Sequence, residues 1–585
     1  MAHIIVTTLY AFISTWAIML TYNLSVRNPL SLVLFAGIEI LFLQIKKIKD
    51  FNFKPSVIIS SLLLSISTVL VKTDGVLSAF DNKLFKLLAF TILFVGFGLF
   101  FFYLVNFLYK LADKVNPKML FVEDHKLPSF SIFSISFIVC VICYLPWYLY
   151  SFPGIMDPDS ITQLSQVTGV NPYSNHHPVF HTFMIKACCK IASLFTSDLN
   201  KQVGFYTLIQ MIFFSFCAAY VIFTLHKYVK LRTSLCFVCL AFYTLVSFMS
   251  VQAVFICKDT VFAAFTMLFV CELCKLVYEN KKEDAKNIAS EIFSVVRFVI
   301  LGFAFCIFRT NGWYAFLLFS VLFLIIFIKD WKKVLVRIIP VIAIVLIVKG
   351  PIMNSLNIKQ PDIAESLHVP EQQIAAVIAN DRCLAEEETK LLYDVCDISY
   401  AKEFYVPWFA DNIKELVRAG HPEVISENKF TYLKLWAKIG LRYPADYIRA
   451  WTALVENVIF PEGDYDVAII EGVKSNSLGV DWHPIIGNHF LLKAREILIK
   501  LGDFIPLYGF LWSMGSYTWL FILSLGKIFA NKKDCRKAII LLPAICIIVT
   551  LLLAIPSAKL FRYAFSYATL LPFCLIMFSG KNAND

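Results

Sequence analysis

Two aspartates, Asp157 and Asp159, stand two positions apart in GIMDPDSITQLSQ, residues 154–166. A carboxylate in such a place can take a proton from an attacking hydroxyl or cap a helix. Asp157 precedes Pro158, and proline favours the first helical position. Asp157 therefore reads as an N-cap, with a helix running through Gln163 and stopping near Gly169. Asp159 then falls in the first turn with its side chain free, and is the better candidate for a general base. Residues two apart do not share a helix face, so the two are not expected to form a close acid/base pair. Helix capping alone would also account for both carboxylates.

The chain continues NPYSNHHPVFHTF. His177 precedes Pro178, which can open another helix, and His181 lies four residues further on. Asp159, His177 and His181 could together hold a divalent cation such as Mg or Mn, although no standard metal signature is matched. The preferred role for His177 is hydrogen bonding to an acceptor or to Asp159; the alternative is a structural histidine at an interface. Gln163 and His181 join it as candidate substrate contacts.

Three cations stand where lysines are otherwise scarce: Lys258 in FICKDTVF, Arg309 in CIFRTNGWYAF, and Arg562 in SAKLFRYAFSY. Charges at a membrane edge are costly unless they meet an anion. Snorkelling accounts for the neighbouring Lys559 better than for Arg309, and Asp259 could neutralise Lys258. Together Lys258, Arg309, Asn311 and Arg562 could bind a phosphate, for which the planar arginine fork is well shaped.

What must position these groups is a set of membrane helices. The chain has 585 residues, 59% hydrophobic and 16% charged, against about a quarter charged in soluble domains. Fourteen apolar spans are expected, near 4–20, 30–45, 56–71, 86–109, 130–150, 203–225, 233–250, 259–278, 292–309, 311–328, 334–349, 504–526, 538–556 and 561–579. The first lacks a cleavage site and reads as retained. Lysine clusters follow alternate spans: Lys46, Lys47, Lys49 and Lys54; Lys110 to Lys126; Lys227 to Arg232; Lys275 to Lys286; Lys329 to Arg337; Lys527 to Lys537. The positive-inside rule makes those loops and both termini cytoplasmic. Residues 151–202 and 350–503 then lie outside, and the second region carries more acid than base.

The net charge of +11 thus comes from short cytoplasmic loops and does not point to nucleic acid. Most cysteines fall in apolar spans; Cys383 and Cys396 lie in the outer region and could pair. The stretch FTYLKLWAKIGLRYPADYIRAW reads either as a helix in the headgroup plane or as an ordinary soluble-domain helix.

The expected architecture is an all-α polytopic protein. Residues 1–128 form a four-span module and lysine-rich linker, 129–349 a transmembrane core with the outer loop 151–202, 350–503 an extracytoplasmic helical domain, and 504–585 three spans and a short tail.

FPGIMDPDSITQLSQ, YSNHHPVFHT, CKDTVF, FRTNGWYAF, VPEQQIA and FRYAFSYATLLP, in this order, resemble a bacterial multi-pass family grouped near the C-type (GT-C) membrane glycosyltransferases. The resemblance covers most of residues 130–580, leaving the first four spans as an addition. It implies inverting transfer of a sugar from a polyprenyl-phosphate or diphosphate donor to a glycan, lipid or protein acceptor outside the bacterial cytoplasmic membrane. It further implies an acidic base on the first outer loop, matched here by Asp159 and less well by Asp157, and cations holding the lipid phosphate, matched by Arg309, Arg562 and Lys258. The paired Asp-Glu of the protein-mannosylating branch and the WWDYG-like motif of oligosaccharyltransferases are both missing, which leaves the acceptor open. A transporter or flippase of a lipid-linked precursor is the rival reading, but such proteins place ionisable groups near the midplane. A non-catalytic scaffold for envelope assembly is the other.

Overall fold

The computed structural model describes residues 2–47, 53–122, 126–279, 288–463 and 472–580. Lys49, Lys281, Lys282 and Lys286 lie outside the described residues. Within them the regular structure is helical, with isolated β-bridges and no strand. Among the described residues nine helices are long and apolar enough to cross a membrane, or ten if Thr233–Leu245 and Ser247–Val254, bent by 59°, form one broken span. The chain is a multi-pass membrane protein: helices of this kind satisfy their own backbone hydrogen bonds in hydrocarbon.

The remaining expected spans take other forms. Leu30–Ile45, Thr310–Ile326 and Met514–Ala530 are shorter apolar helices. The last of these starts at Met514 rather than near 504 because the Ser513 hydroxyl caps it, accepting from the Ser516 amide at 3.2 Å. Residues 561–579 are not one helix. They fold as a 3-10 turn Phe561–Tyr563, a single turn Phe565–Ala568 and a helix Leu571–Phe578 opened by Pro572. Hydropathy registers the composition of such a segment and not its breaks.

The first four helices pack on one another. An added Cβ at Gly96 would stand 2.5 Å from the Ala17 Cβ and 2.8 Å from the Ile13 carbonyl oxygen, so glycine is what lets these two helices touch. The group joins the rest where Pro55–Leu77 meets Met514–Ala530. There Tyr109 donates to the Leu523 carbonyl at 2.9 Å, and Phe101 meets Trp519 edge-on at 5.3 Å.

Contacts between loops sort the helix ends. Lys54 donates to the Ala530 carbonyl, Lys527 pairs with Asp113, Arg536 pairs with Asp330, and Phe121 bridges Leu231. The lysine-bearing loops therefore share one end. Elsewhere Met156 bridges Val473, Ser174 bridges Lys359 and Phe409 bridges Ser557, so residues 151–202, the 350–503 region and the turn before Arg562 meet.

The 350–503 region contains helices His368–Ala379, Glu386–Tyr393, Asp411–Ala419, Lys429–Arg442 and Pro444–Ile459. The aromatic-basic stretch is thus two helices, broken at Tyr443 because Pro444 opens the second. Arg442 pairs with both oxygens of Glu388 at 2.8 Å, and Arg382 holds Asp446 at 2.8 Å. Cys383 and Cys396 are free thiols.

Candidate functional site

The site is built on a short backbone clamp. The Ile155 amide donates to Val254, and Ile155 in turn accepts from the Ile256 amide; Met156 exchanges bonds with Gly472 and Lys474. Gly154 (φ +149°) lets the chain enter, since an added Cβ there would stand 2.6 Å from the Thr207 hydroxyl and 2.9 Å from Ile256. Helix Pro158–Val167 follows, capped by Asp157 as expected: its Oδ1 accepts from the Ser160 amide at 2.9 Å and from the Ser160 hydroxyl at 2.8 Å.

The cap leaves the second oxygen of Asp157 free, and one guanidinium nitrogen gathers the two aspartates, which helix geometry alone is not expected to make a close acid/base pair. Nη1 of Arg562 donates to Asp157 Oδ2 at 2.9 Å and to Asp159 Oδ2 at 3.0 Å. Residue 157 is extended rather than helical, so helix-face geometry does not separate it from Asp159. Lys258 donates to the same Asp159 oxygen at 3.0 Å and sits 2.8 Å from His177 Nδ1. His177 Nε2 lies 3.8 Å from the other Asp159 oxygen. Asp159, Asp157, His177, Lys258 and Arg562 thus form one cluster.

Its electrostatics are divided. Burial would raise the Asp159 carboxyl, but Lys258 and Arg562 outweigh it and hold the group well below the usual carboxylate range. Asp157 goes the other way: burial, and then the Asp159 charge, raise it against the pull of Arg562. Burial, and then Lys258, hold the His177 imidazole well below its ordinary value, so it is neutral. The Asp159 side chain is 27% exposed and that of Asp157 7%, so a ligand reaches Asp159 first. Arg562 Nε is buried with no acceptor among the described residues.

The other candidates divide. Asp259 does not neutralise Lys258. Adjacent residues on a helix face different ways, and Asp259 instead pairs with Arg309 while accepting from the Cys257 thiol. Arg309 and Arg562 both stack on Tyr563, at 5.1 and 5.4 Å. Arg309 stands beside the cluster with its charge already met, and Asn311 is half-buried in the next helical turn. A double-mutant cycle on Arg309→Gln and Asp259→Asn is expected to give a coupling of roughly 1–3 kcal/mol in thermal unfolding, each single change costing more than its share of the double. Additive effects would mean that the pair does not hold these helices together.

Gln163 and His181 are not placed to touch a ligand. Both are fully buried: Gln163 donates to Thr182 at 3.0 Å, and His181 lies 2.8 Å from Gln163 and 2.7 Å from the Tyr206 hydroxyl. Tyr206 donates to Gln210, whose amide reaches the carbonyls of Ala253 and Phe255. Burial takes the His181 imidazole down to about 3. The chain of bonds ties helix Pro158–Val167 to the turn that presents Lys258, a structural task. With both ring nitrogens of His181 engaged, Asp159, His177 and His181 do not converge as metal ligands. Among the described residues no three His, Cys, Asp or Glu side chains are grouped to hold a metal ion.

Residues 170–585, more than half of the chain, match the profile of a family of unknown function, DUF6020. The chain belongs to the DUF6020 family. The match takes in His177, His181, Lys258, Arg309, Asn311 and Arg562, and begins after Asp157, Asp159 and Gln163. No curated protein and no solved structure matches this DUF6020 chain.

Several members of the site carried no usable signal. Tyr206 and Gln210 sit in a helix that reads as an ordinary span, and Tyr563 reads as one more aromatic. His176, beside His177, reaches Glu365 at 3.4 Å, and Glu365 also pairs with Lys414 and Arg418. That link, which fastens the 350–503 region to the candidate site, joins residues 189 positions apart in the sequence.

Proposed function

We propose that the protein is a GT-C-type membrane glycosyltransferase that moves a sugar from a polyprenyl-phosphate donor to an acceptor outside the cytoplasmic membrane, with inversion. The observation that carries this reading is the meeting of Asp159, Lys258 and Arg562: one carboxylate and two cations, from three distant segments, at the end of the bundle away from the lysine-bearing loops. The acceptor hydroxyl would lose its proton to Asp159 as its oxygen bonds to the sugar anomeric carbon. The bond to phosphate oxygen breaks on the opposite face, and the electron pair leaves with the polyprenyl phosphate.

The free Nε of Arg562 supports its part. It is a donor in want of an acceptor, next to the place where phosphate charge would grow. Asp159 is held ionised but is a weak base while both cations bind it. Drawing Arg562 onto the phosphate would remove one of them and raise the basicity of Asp159 at the moment it is needed. His177, neutral and bonded to Lys258, would keep the lysine aimed at Asp159. Arg309, already paired, would brace Tyr563 and not grip the donor. A transfer assay with purified protein and polyprenyl-linked donors tests the whole reading; no transfer or donor hydrolysis across the donor classes would remove it.

The orientation rests on the lysines. With the lysine-bearing loops and both termini cytoplasmic, residues 151–202 and 350–503 face outward. Val170→Cys and Ser475→Cys, in a background without native cysteines, are expected to react with an impermeant maleimide in intact cells, and Lys118→Cys only after lysis. The reverse pattern would place the site inside.

A further inference from the structure

The outer region holds a cavity of about 530 Å³ between helices His368–Ala379, Glu386–Tyr393, Asp411–Ala419 and Lys429–Arg442, within the size range of small-ligand sites. Its wall is almost wholly apolar, with Ile374, Leu392, Val417, Leu433 and Trp436 among the lining side chains. Protein interiors close such spaces to crystal-like density, and native voids are seldom larger than a water. An apolar hollow of this size is a place for an apolar ligand.

One lining residue departs from that pattern. Glu371 is 8% exposed, and neither of its carboxyl oxygens has a hydrogen-bond partner among the described residues. A buried carboxyl without a partner is destabilising. Burial pushes the group up to about 8; Lys414 and Arg418 oppose this, and Asp362 and Glu365 add to it. Near neutral pH the residue is then largely an uncharged acid, able both to donate and to accept.

The mouth indicates where the ligand comes from. Lys429 lines it, and on the same helix Phe430 is 87% and Leu433 57% exposed. A lysine beside bare apolar side chains is the pattern of a helix touching the headgroup layer.

We propose that this cavity binds one hydrocarbon chain bearing an uncharged hydroxyl head, a single-chain lipid alcohol taken from the adjacent membrane surface, with its head on Glu371. The volume suits one chain. An anionic head placed on Glu371 would face an acid, and the cations nearest that acid, Lys414 and Arg418, are already paired with Glu365, Asp411 and Asp362, while Lys429 stands at the mouth. The site is separate from the Asp159 cluster, and its test does not depend on sugar transfer.

The test uses full-length protein in phosphatidylcholine nanodiscs with hexadecanol carrying a photoreactive diazirine in its chain. Crosslinks are expected in peptides spanning 363–378 and 425–436, and unlabelled hexadecanol should compete. Ala375→Trp, which fills the cavity, should lower them at least tenfold while crosslinks to the membrane helices persist. Because Ala375 is 2% exposed and that variant could fail to fold, a second pair decides independently. The wild type should prefer the alcohol probe over the matching alkane by roughly five- to tenfold, about what one hydrogen bond provides. Glu371→Gln should keep the preference and Glu371→Leu should abolish it. Absence of outer-region crosslinks, a preference for palmitate over the alcohol, or an unchanged preference in Glu371→Leu would overturn the proposal.

Discussion

Arg562→Ala is expected to lose about 3–5 kcal/mol of stability together with all donor use. Among the described residues the guanidinium is the only group that touches both Asp157 and Asp159, through a single nitrogen. Removing it leaves two carboxylates facing each other, one of them buried, and breaking a buried pair from one side is much costlier than never having built it. Asp157→Asn in the Arg562→Ala background should restore much of that stability, because Asn still caps the helix and the like-charge contact is gone. It should not restore transfer. Thermal unfolding of the four proteins of this cycle, with transfer measured in parallel, separates the two roles. If Arg562→Ala unfolds like the wild type, the cluster does not carry the weight assigned to it.

Asp159→Asn should lower transfer by roughly 100- to 10,000-fold, the usual contribution of a positioned base. Its stability cost should be smaller than that of Arg562→Ala, because Lys258 keeps His177 and Arg562 keeps Asp157 as partners. Donor binding should survive or strengthen, since Arg562 is then held by one carboxylate fewer. A wild-type turnover number in Asp159→Asn would end the assignment, whatever happened to binding.

Local chemistry is what the sequence states most clearly. Asp157 before Pro158 reads as a cap because capping needs only three or four residues, and the structure has that cap. Asp159, Lys258 and Arg562 could be picked out because each is a charge in surroundings that otherwise exclude it. The partners were less legible. Lys258 beside Asp259 invites pairing, although consecutive helical residues point apart, and each finds its partner from another segment. Gln163 and His181 read as ligand contacts because nothing local shows that Tyr206 and Gln210 will close over them. The break in residues 561–579 is hidden by even hydropathy, yet it is that break which turns Arg562 toward the aspartates. The cavity beside Glu371 is hidden too: nothing in VPEQQIAAVIA sets that glutamate apart from the other acidic residues of the 350–503 region.

Three cations, Lys258, Arg309 and Arg562, stand against three carboxylates, Asp157, Asp159 and Asp259. Their charges cancel when Asp157 is ionised and leave a single positive charge when it is not. A cancelled cluster projects little field past a Debye length of about 8 Å at physiological salt, so an anion in the surrounding water or lipid is not drawn in from afar. Capture at such a place proceeds by swapping partners after contact, and its rate should stay nearly flat as ionic strength rises, unlike the steep fall seen where bare cations steer association.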